Sequence, residues 1–155
     1  MKLSTKGRYA VMAMVDLAQF GTTGPVALAE VADRQEISLS YLEQLFAKLR
    51  RAGLVKSVRG PGGGYKLSYP APEIRIADVI TAVDEPIRTT GCAPGAATGC
   101  IRRTSRCMTH DLWEELGHQI HSYLNSVSLE DVCTGQIFGS PQPELRPAMA
   151  EIAAE

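Results

Sequence analysis

Ser38-Leu39-Ser40-Tyr41-Leu42-Glu43-Gln44-Leu45-Phe46-Ala47-Lys48-Leu49-Arg50-Arg51-Ala52, then Gly53, then Leu54-Val55-Lys56-Ser57-Val58-Arg59-Gly60-Pro61-Gly62-Gly63-Gly64-Tyr65-Lys66-Leu67-Ser68-Tyr69, is the stretch that decides the fold. Its first part has helical period, with Leu39, Leu42, Leu45, Phe46 and Leu49 on one stripe and Ser38 placed to cap it. Gly53 ends the helix, and the pattern changes to two short β-runs, Leu54–Val58 and Tyr65–Tyr69, around a glycine-rich turn. Upstream, Ser4 or Thr5 can cap a helix to about Phe20 with Tyr9, Ala10, Ala13, Met14, Leu17 and Ala18 on its apolar side. Gly21 to Pro25 interrupts the chain, a short helix runs from Leu28 to Gln35, and Glu36-Ile37 makes a tight connection. Three helices followed by a hairpin is the order of a winged helix-turn-helix, so the expected class is mainly α with a two-stranded β-wing.

In such a motif the helix after the tight turn enters the major groove, where base edges are distinguishable. The side of the Ser38–Ala52 helix away from its leucines carries Ser40, Tyr41, Glu43, Gln44, Lys48 and Arg51. Ser and Gln donate to and accept from bases, Tyr reaches a thymine methyl or a phosphate, and the cations hold the backbone. Alone, such a face reads more readily as a solvated helix surface; the adjoining hairpin reverses that preference in favour of DNA. Its tip, Arg59-Gly60-Pro61-Gly62-Gly63-Gly64, is slim and carries one guanidinium, which suits a narrow minor groove, so Arg59, Pro61 and Gly62 join Ser38 as expected DNA contacts. A phosphate-cradling nucleotide loop would need Lys-Ser or Lys-Thr and a helix next; Tyr65-Lys66-Leu67 follows instead.

Charge supports this reading. Residues 1–68 hold ten Lys+Arg and five Asp+Glu, a net +5, while residues 69–155 hold six and twelve, a net −6. A basic front half is the footprint of a phosphate-binding module. The 155-residue chain has 45% apolar residues and no apolar run near the ~20 that a membrane span needs. Its start is a poor signal peptide, and a cytoplasmic location is expected. No nucleophile–base constellation or cofactor loop points to an enzyme.

Beyond Pro70 and Pro72 a helix is expected over about Ile76–Val83, then a Gly/Pro/Thr-rich connection from Asp84 to about Arg106. A connection that long within a compact chain is functional or disordered. A long amphipathic helix follows from about Thr109 to Asn125, with Trp113, Leu116, Ile120, Tyr123, Leu124 and Val127 on its apolar face. Ser128 and Asp131 open another short helix. The Pro-rich end has little to bury. The expected organisation is a winged-helix DNA-binding domain over residues 1–83, a cofactor-binding loop over 84–108, a long-helix region over 109–134 and a mobile tail over 135–155.

The loop and the start of the long helix hold Cys92-x7-Cys100-x6-Cys107-x2-His110, three thiols and an imidazole within nineteen residues. In a reducing compartment such a group is more often a metal site or redox sensor than a staple. Thiolates suit an iron–sulfur cluster, which takes four protein ligands. Cys107 and His110, at i and i+3, can point the same way. Two alternatives stand beside the cluster. Structural zinc accepts Cys3His, usually through tight Cys-x2-4-Cys hooks that this chain lacks. The other is a metal-free thiol–disulfide switch. Cys133 is expected to be a small packing residue, and His118 and His121 solvated helix residues.

Leu3-Ser4-Thr5-Lys6-Gly7-Arg8-Tyr9-Ala10-Val11, Ile37-Ser38-Leu39-Ser40-Tyr41-Leu42-Glu43-Gln44-Leu45-Phe46, Val58-Arg59-Gly60-Pro61-Gly62-Gly63-Gly64-Tyr65, Val83-Asp84-Glu85 and Cys107-Met108-Thr109-His110-Asp111-Leu112-Trp113 closely resemble the IscR-type iron–sulfur cluster regulators, which are bacterial winged-helix transcription factors. The resemblance covers about residues 1–134. It implies a [2Fe–2S] cluster held by Cys92, Cys100, Cys107 and His110, although the Cys92–Cys100 spacing is slightly longer than in the best-known members. It also implies a homodimer formed through the long helix, iron–sulfur assembly or scaffold proteins as cluster donors, and a double-stranded DNA operator chosen according to cluster occupancy. The implied role is regulation, as a repressor, of iron–sulfur assembly genes. Related iron- or nitric-oxide-responsive regulators, and a non-DNA-binding iron–sulfur protein, are the alternatives. Glu43 matches a family residue that penalises one operator class, as a carboxylate near phosphates or acceptor-rich bases would.

Overall fold

The computed structural model describes residues 4–85, 89–90 and 106–137. The elements run α1 (Thr5–Phe20), α2 (Leu28–Gln35), α3 (Leu39–Arg51), β1 (Val55–Val58), β2 (Gly64–Leu67), a 3-10 turn (Ala71–Glu73), α4 (Ile76–Ala82), α5 (His110–Ser126) and α6 (Leu129–Thr134). Helices dominate and the wing is the two-stranded sheet, so the fold is the expected winged helix-turn-helix with a long helix behind it.

Local chemistry sets the boundaries. The Ser4 hydroxyl accepts the Lys6 amide at 3.2 Å and caps α1. Glu36 takes a left-handed conformation, φ 54°, and turns the chain tightly from α2 into α3. Ser38 occupies the N-cap position of α3, but its backbone carbonyl rather than its hydroxyl receives the first amides, from Tyr41 and Leu42 at 3.1 Å. Ser128 and Asp131 form a reciprocal capping box that starts α6. The β-strands are shorter than their sequence pattern: β1 begins at Val55, and β2 spans Gly64–Leu67 with Tyr69 exposed.

One core runs through these elements. Ala10, Ala13, Met14 and Leu17 of α1 meet Val31 of α2, Leu42, Leu45, Phe46 and Leu49 of α3, and Val79 and Ile80 of α4. Leu39, expected in the buried stripe of α3, is 41% exposed. It lies at the first turn, where the helix projects beyond the core. Phe46 meets Tyr65 edge-on with ring centres 4.9 Å apart, seating the wing on α3. Each such side chain buried contributes roughly 1.5–3 kcal/mol.

The wing is anchored a second time. Val26, just before α2, exchanges backbone hydrogen bonds with Tyr65 at 2.8 and 2.9 Å. The approach requires glycine beside it: a Cβ on Gly64 would lie 2.2 Å from the Val26 carbonyl oxygen.

An ion pair with a buried carboxylate joins α1 to α2. The Asp16 carboxylate is enclosed and receives Arg34 in a two-pronged bond, 2.7 and 2.9 Å, and the Gln35 amide at 2.8 Å. Beside it the Arg34 guanidinium lies 4.3 Å from the centre of the Phe20 ring.

The chain after α5 returns to the core that α1 to α4 share. Ile76 N–H donates to Val127 and Leu129 N–H to Ile74, both at 3.0 Å, and Val127 and Leu129 enter the common core. Cys133 is half-buried there, with its thiol 3.9 Å from the Val15 carbonyl.

Candidate nucleic-acid interface and metal centre

α3 holds Leu42, Leu45, Phe46 and Leu49 inward, so helical geometry turns the opposite side outward. Ser38, Ser40, Glu43, Gln44 and Arg51 are exposed. Arg59, Pro61 and Gly62 are exposed at the wing tip, where Gly63 N–H closes a turn onto Gly60 at 2.9 Å. Gly60 and Gly62 take φ of 106° and 71°, conformations that only glycine enters freely.

Two of the expected contacts stand apart. Tyr41 is half-buried and packs edge-on against Tyr9 of α1, ring centres 6.0 Å apart, so part of its ring serves the α1–α3 contact. Lys48 pairs with Asp84 at 2.8 Å, just beyond α4. That bond and the attraction of Lys48 hold the Asp84 carboxyl below the ordinary carboxylate range.

The neighbouring Glu85 reaches the N-terminus of α1, where its carboxylate oxygens accept the amides of Ser4 and Gly7. Partial burial pushes the Glu85 carboxyl up, but the bonds from Ser4 and Gly7 outweigh it and leave it below its usual value. Nothing in the spacing of the sequence signalled this cap, because it joins residues 81 apart.

Of the four expected cluster ligands, the structure describes Cys107 and His110; Cys92 and Cys100 lie outside the described residues, as do residues 138–155 of the expected tail. Cys107 precedes α5 as a half-buried free thiol whose sulfur is 3.6 Å from the Thr109 hydroxyl. Its carbonyl accepts the His110 amide at 3.1 Å. His110 opens α5 with its residue only 2% exposed, and its Nε2 is 3.8 Å from a Glu114 carboxylate oxygen.

Ligand atoms of His110, Asp111 and Glu114 lie within 4.8 Å of one another, a juxtaposition that follows from their i, i+1 and i+4 positions and that the cysteine-led reading passed over. Asp111 is itself paired with Arg106 at 3.2 Å and sits in the first turn, where the helix dipole favours an acid. His118 and Tyr123 are exposed further along α5, as is His121.

The chain entering the cluster region crosses α5. Thr89 donates its hydroxyl to the Trp113 carbonyl and lies over Gly117, one of two buried residues of α5. The outer side of the helix leaves Leu112, Trp113, Leu116 and Tyr123 uncovered, at 61, 43, 36 and 51% exposure. Among the described residues no helix is long and apolar enough to cross a membrane.

The donor chemistry of Cys107 and His110 fits a cluster. A soft thiol and a buried imidazole stand one helical turn apart at the same helix start, and three thiolates with one imidazole are a full four-ligand set.

Comparison with known proteins agrees with the fold. The chain is 53% identical over 136 residues to the HTH-type transcriptional regulator IscR of Photorhabdus laumondii, covering 88% of this chain and 81% of that one. Its structure resembles that of T. potens IscR with a TM-score of 0.71 at 38% identity, covering 92% of this chain and 94% of the other. It also resembles CymR, the global cysteine regulator of B. subtilis, with a TM-score of 0.72 at 34% identity, over 87% of this chain and 98% of the other. The profile of the Rrf2 family, described as iron-dependent transcriptional regulators, matches residues 3–135. The winged helix thus occupies the first half of a chain that belongs to the Rrf2 family, whose members are transcription regulators and not enzymes.

Proposed function

We propose that this regulator is a cytoplasmic homodimer that senses iron–sulfur status through a [2Fe–2S] cluster held by Cys92, Cys100, Cys107 and His110, and that it represses iron–sulfur assembly genes when the cluster is present. The observation that carries the proposal is the pairing of Cys107 with the buried His110 at the start of α5. A mixed ligand set leaves an oxidised cluster at about −1 instead of −2 and makes its imidazole ligand the easier one to protonate and lose, which suits a responsive site. Assembly or scaffold proteins of the cell would supply the cluster.

The uncovered apolar strip on α5, from Leu112 to Tyr123, favours the dimer, because a contiguous patch of this kind marks an interaction surface. Two reading heads would then address a pseudo-palindromic, double-stranded operator. α3 supplies Ser38, Ser40, Glu43, Gln44 and Arg51, with Tyr41 and Lys48 at its inner flank. The wing supplies Arg59, Pro61 and Gly62. Glu43 would penalise one operator class.

Anaerobic purification is expected to give a brown protein with about two irons and two sulfides per chain. Sulfide distinguishes this from a mononuclear cation on His110, Asp111 and Glu114, which would bring metal alone. A colourless, zinc-only protein would overturn the cluster reading. His110→Ala is expected to change operator preference while leaving cluster-independent binding intact.

A further inference from the structure

Asp84 and Glu85 place two adjacent carboxylates among the cations of the reading head. Asp84 binds Lys48 on α3 at 2.8 Å, and the two line a small cavity of about 170 Å³ together with Arg51, Ala52 and Ala82. Lys6 and Arg51 add their fields to the same carboxylate. Glu85 occupies the amides of Ser4 and Gly7 at the positive end of α1, the kind of group that otherwise holds a phosphate.

Stability does not account for the Asp84 contact. Asp84 takes φ 57°, a conformation that costs a residue other than glycine free energy, and its side chain is 75% exposed. An ion pair so exposed adds little to stability, because solvent screens it and two side chains must be held in one geometry. Lys48 and Arg51 stand on the outward side of α3, beside Gln44. The acidic pair thus withholds cations at the edge of the surface read as the DNA face.

We propose that Asp84–Glu85 is an internal phosphate mimic: in the free protein it fills the corner made by Lys48, Arg51, Lys6 and the first amides of α1, and an incoming DNA phosphate must displace it. The chain immediately after Glu85 leads to Cys92 and Cys100, so the mimic is covalently joined to the segment that carries two of the proposed cluster ligands. The inference rests on α3 and the wing being the DNA-binding face.

The test uses the full chain and a labelled mixed-sequence DNA duplex, with binding measured between about 50 and 200 mM salt. Asp84→Asn keeps a side chain that tolerates the left-handed backbone, and Asp84→Gly provides a second variant that adopts it freely. Both are expected to bind roughly three- to tenfold tighter at low salt, with a slope of log K against log salt steeper by about 0.9 for each phosphate contact released. Lys48→Met is expected to weaken binding by the wild type and to remove most of the gain in the Asp84→Asn background. Glu73→Gln, the same charge change on the distant 3-10 turn, is expected to leave the slope unchanged. Unchanged or weaker binding by both Asp84 variants, or an equal gain from Glu73→Gln, overturns the mimic while leaving the DNA face standing. Failure of the wild type to bind any duplex removes the DNA face and the mimic together.

Discussion

Thr89 lies directly over Gly117, so that a Cβ at position 117 would stand 2.6 Å from the Thr89 hydroxyl oxygen. The chain leading to the cysteine segment crosses α5 where the helix has no side chain. Replacing a mid-helix glycine by alanine ordinarily stabilises by about 0.5–1 kcal/mol. Here Gly117→Ala is expected to be neutral or destabilising, and to become stabilising by that amount in a Thr89→Ala background. Urea unfolding of the two single variants and the double variant measures the reversal; simple additivity would show that the crossing does not form.

The enclosed Asp16 carboxylate offers a second check. Asp16→Ala removes both bonds from Arg34 and the bond from Gln35. The Arg34 side chain keeps about a third of its exposure and can still reach water, so the loss is expected to be about 2–4 kcal/mol, below the cost of stranding a fully buried charge. Thermal unfolding that leaves the midpoint within a degree or so of wild type would contradict this assignment.

Glu85 makes stability depend on acid. Its carboxyl lies below its ordinary value in the folded state, so the folded form prefers it ionised. The contribution is present above the unfolded glutamate pKa of about 4.3 and is lost as pH falls through the lower folded value. The stability gap between wild type and Glu85→Gln is expected to be widest near neutral pH and to close in acid. Its size is modest because the group is only partly buried; a gap that widens in acid would reverse the sign and the assignment.

On DNA, Arg59→Ala and Gln44→Ala are each expected to weaken operator binding by roughly 1–3 kcal/mol and to relax preference at the bases they read. The affinity ratio of operator to mixed-sequence duplex, compared at one salt concentration, reports this. Loss of affinity on both duplexes alike would turn the contact into a backbone one.

Cys133 is expected to behave unlike the cluster cysteines. Burial, then the nearby Glu130, pushes its thiol above the normal range, so near neutral pH it stays protonated and alkylates slowly in the native protein. Cys133→Ala is expected to retain full iron and sulfide, and Cys107→Ala to lose them. Iron loss in both variants would bring Cys133 into the ligand set.

Much of the fold was readable because its signals are local. Leu42, Leu45, Phe46 and Leu49 recur with helical period, Ser4 and Ser128 cap their helices, and the glycines from Gly60 to Gly64 punctuate the hairpin. The candidate site was readable where residue types carry the chemistry, as at Cys107 and His110. Leu39 was misplaced because periodicity identifies a face of a helix but not where the neighbouring helices end. Tyr41 and Lys48 sat on the outward side by the same logic, yet Tyr9 and Asp84, from distant segments, claim part of each.

The sequence by itself determined the order of helices and wing, the thiol–imidazole motif and the basic front half, since each depends on neighbours a few residues apart. Only the tertiary structure decided that Val26 holds the wing, that Asp16 binds Arg34, that Val127 and Leu129 return to the shared core, and that Asp84 takes Lys48 while Glu85 takes the first amides of α1. Those contacts join segments whose separation along the chain carries no periodic trace, and burial and charge pairing select them once the helices have packed.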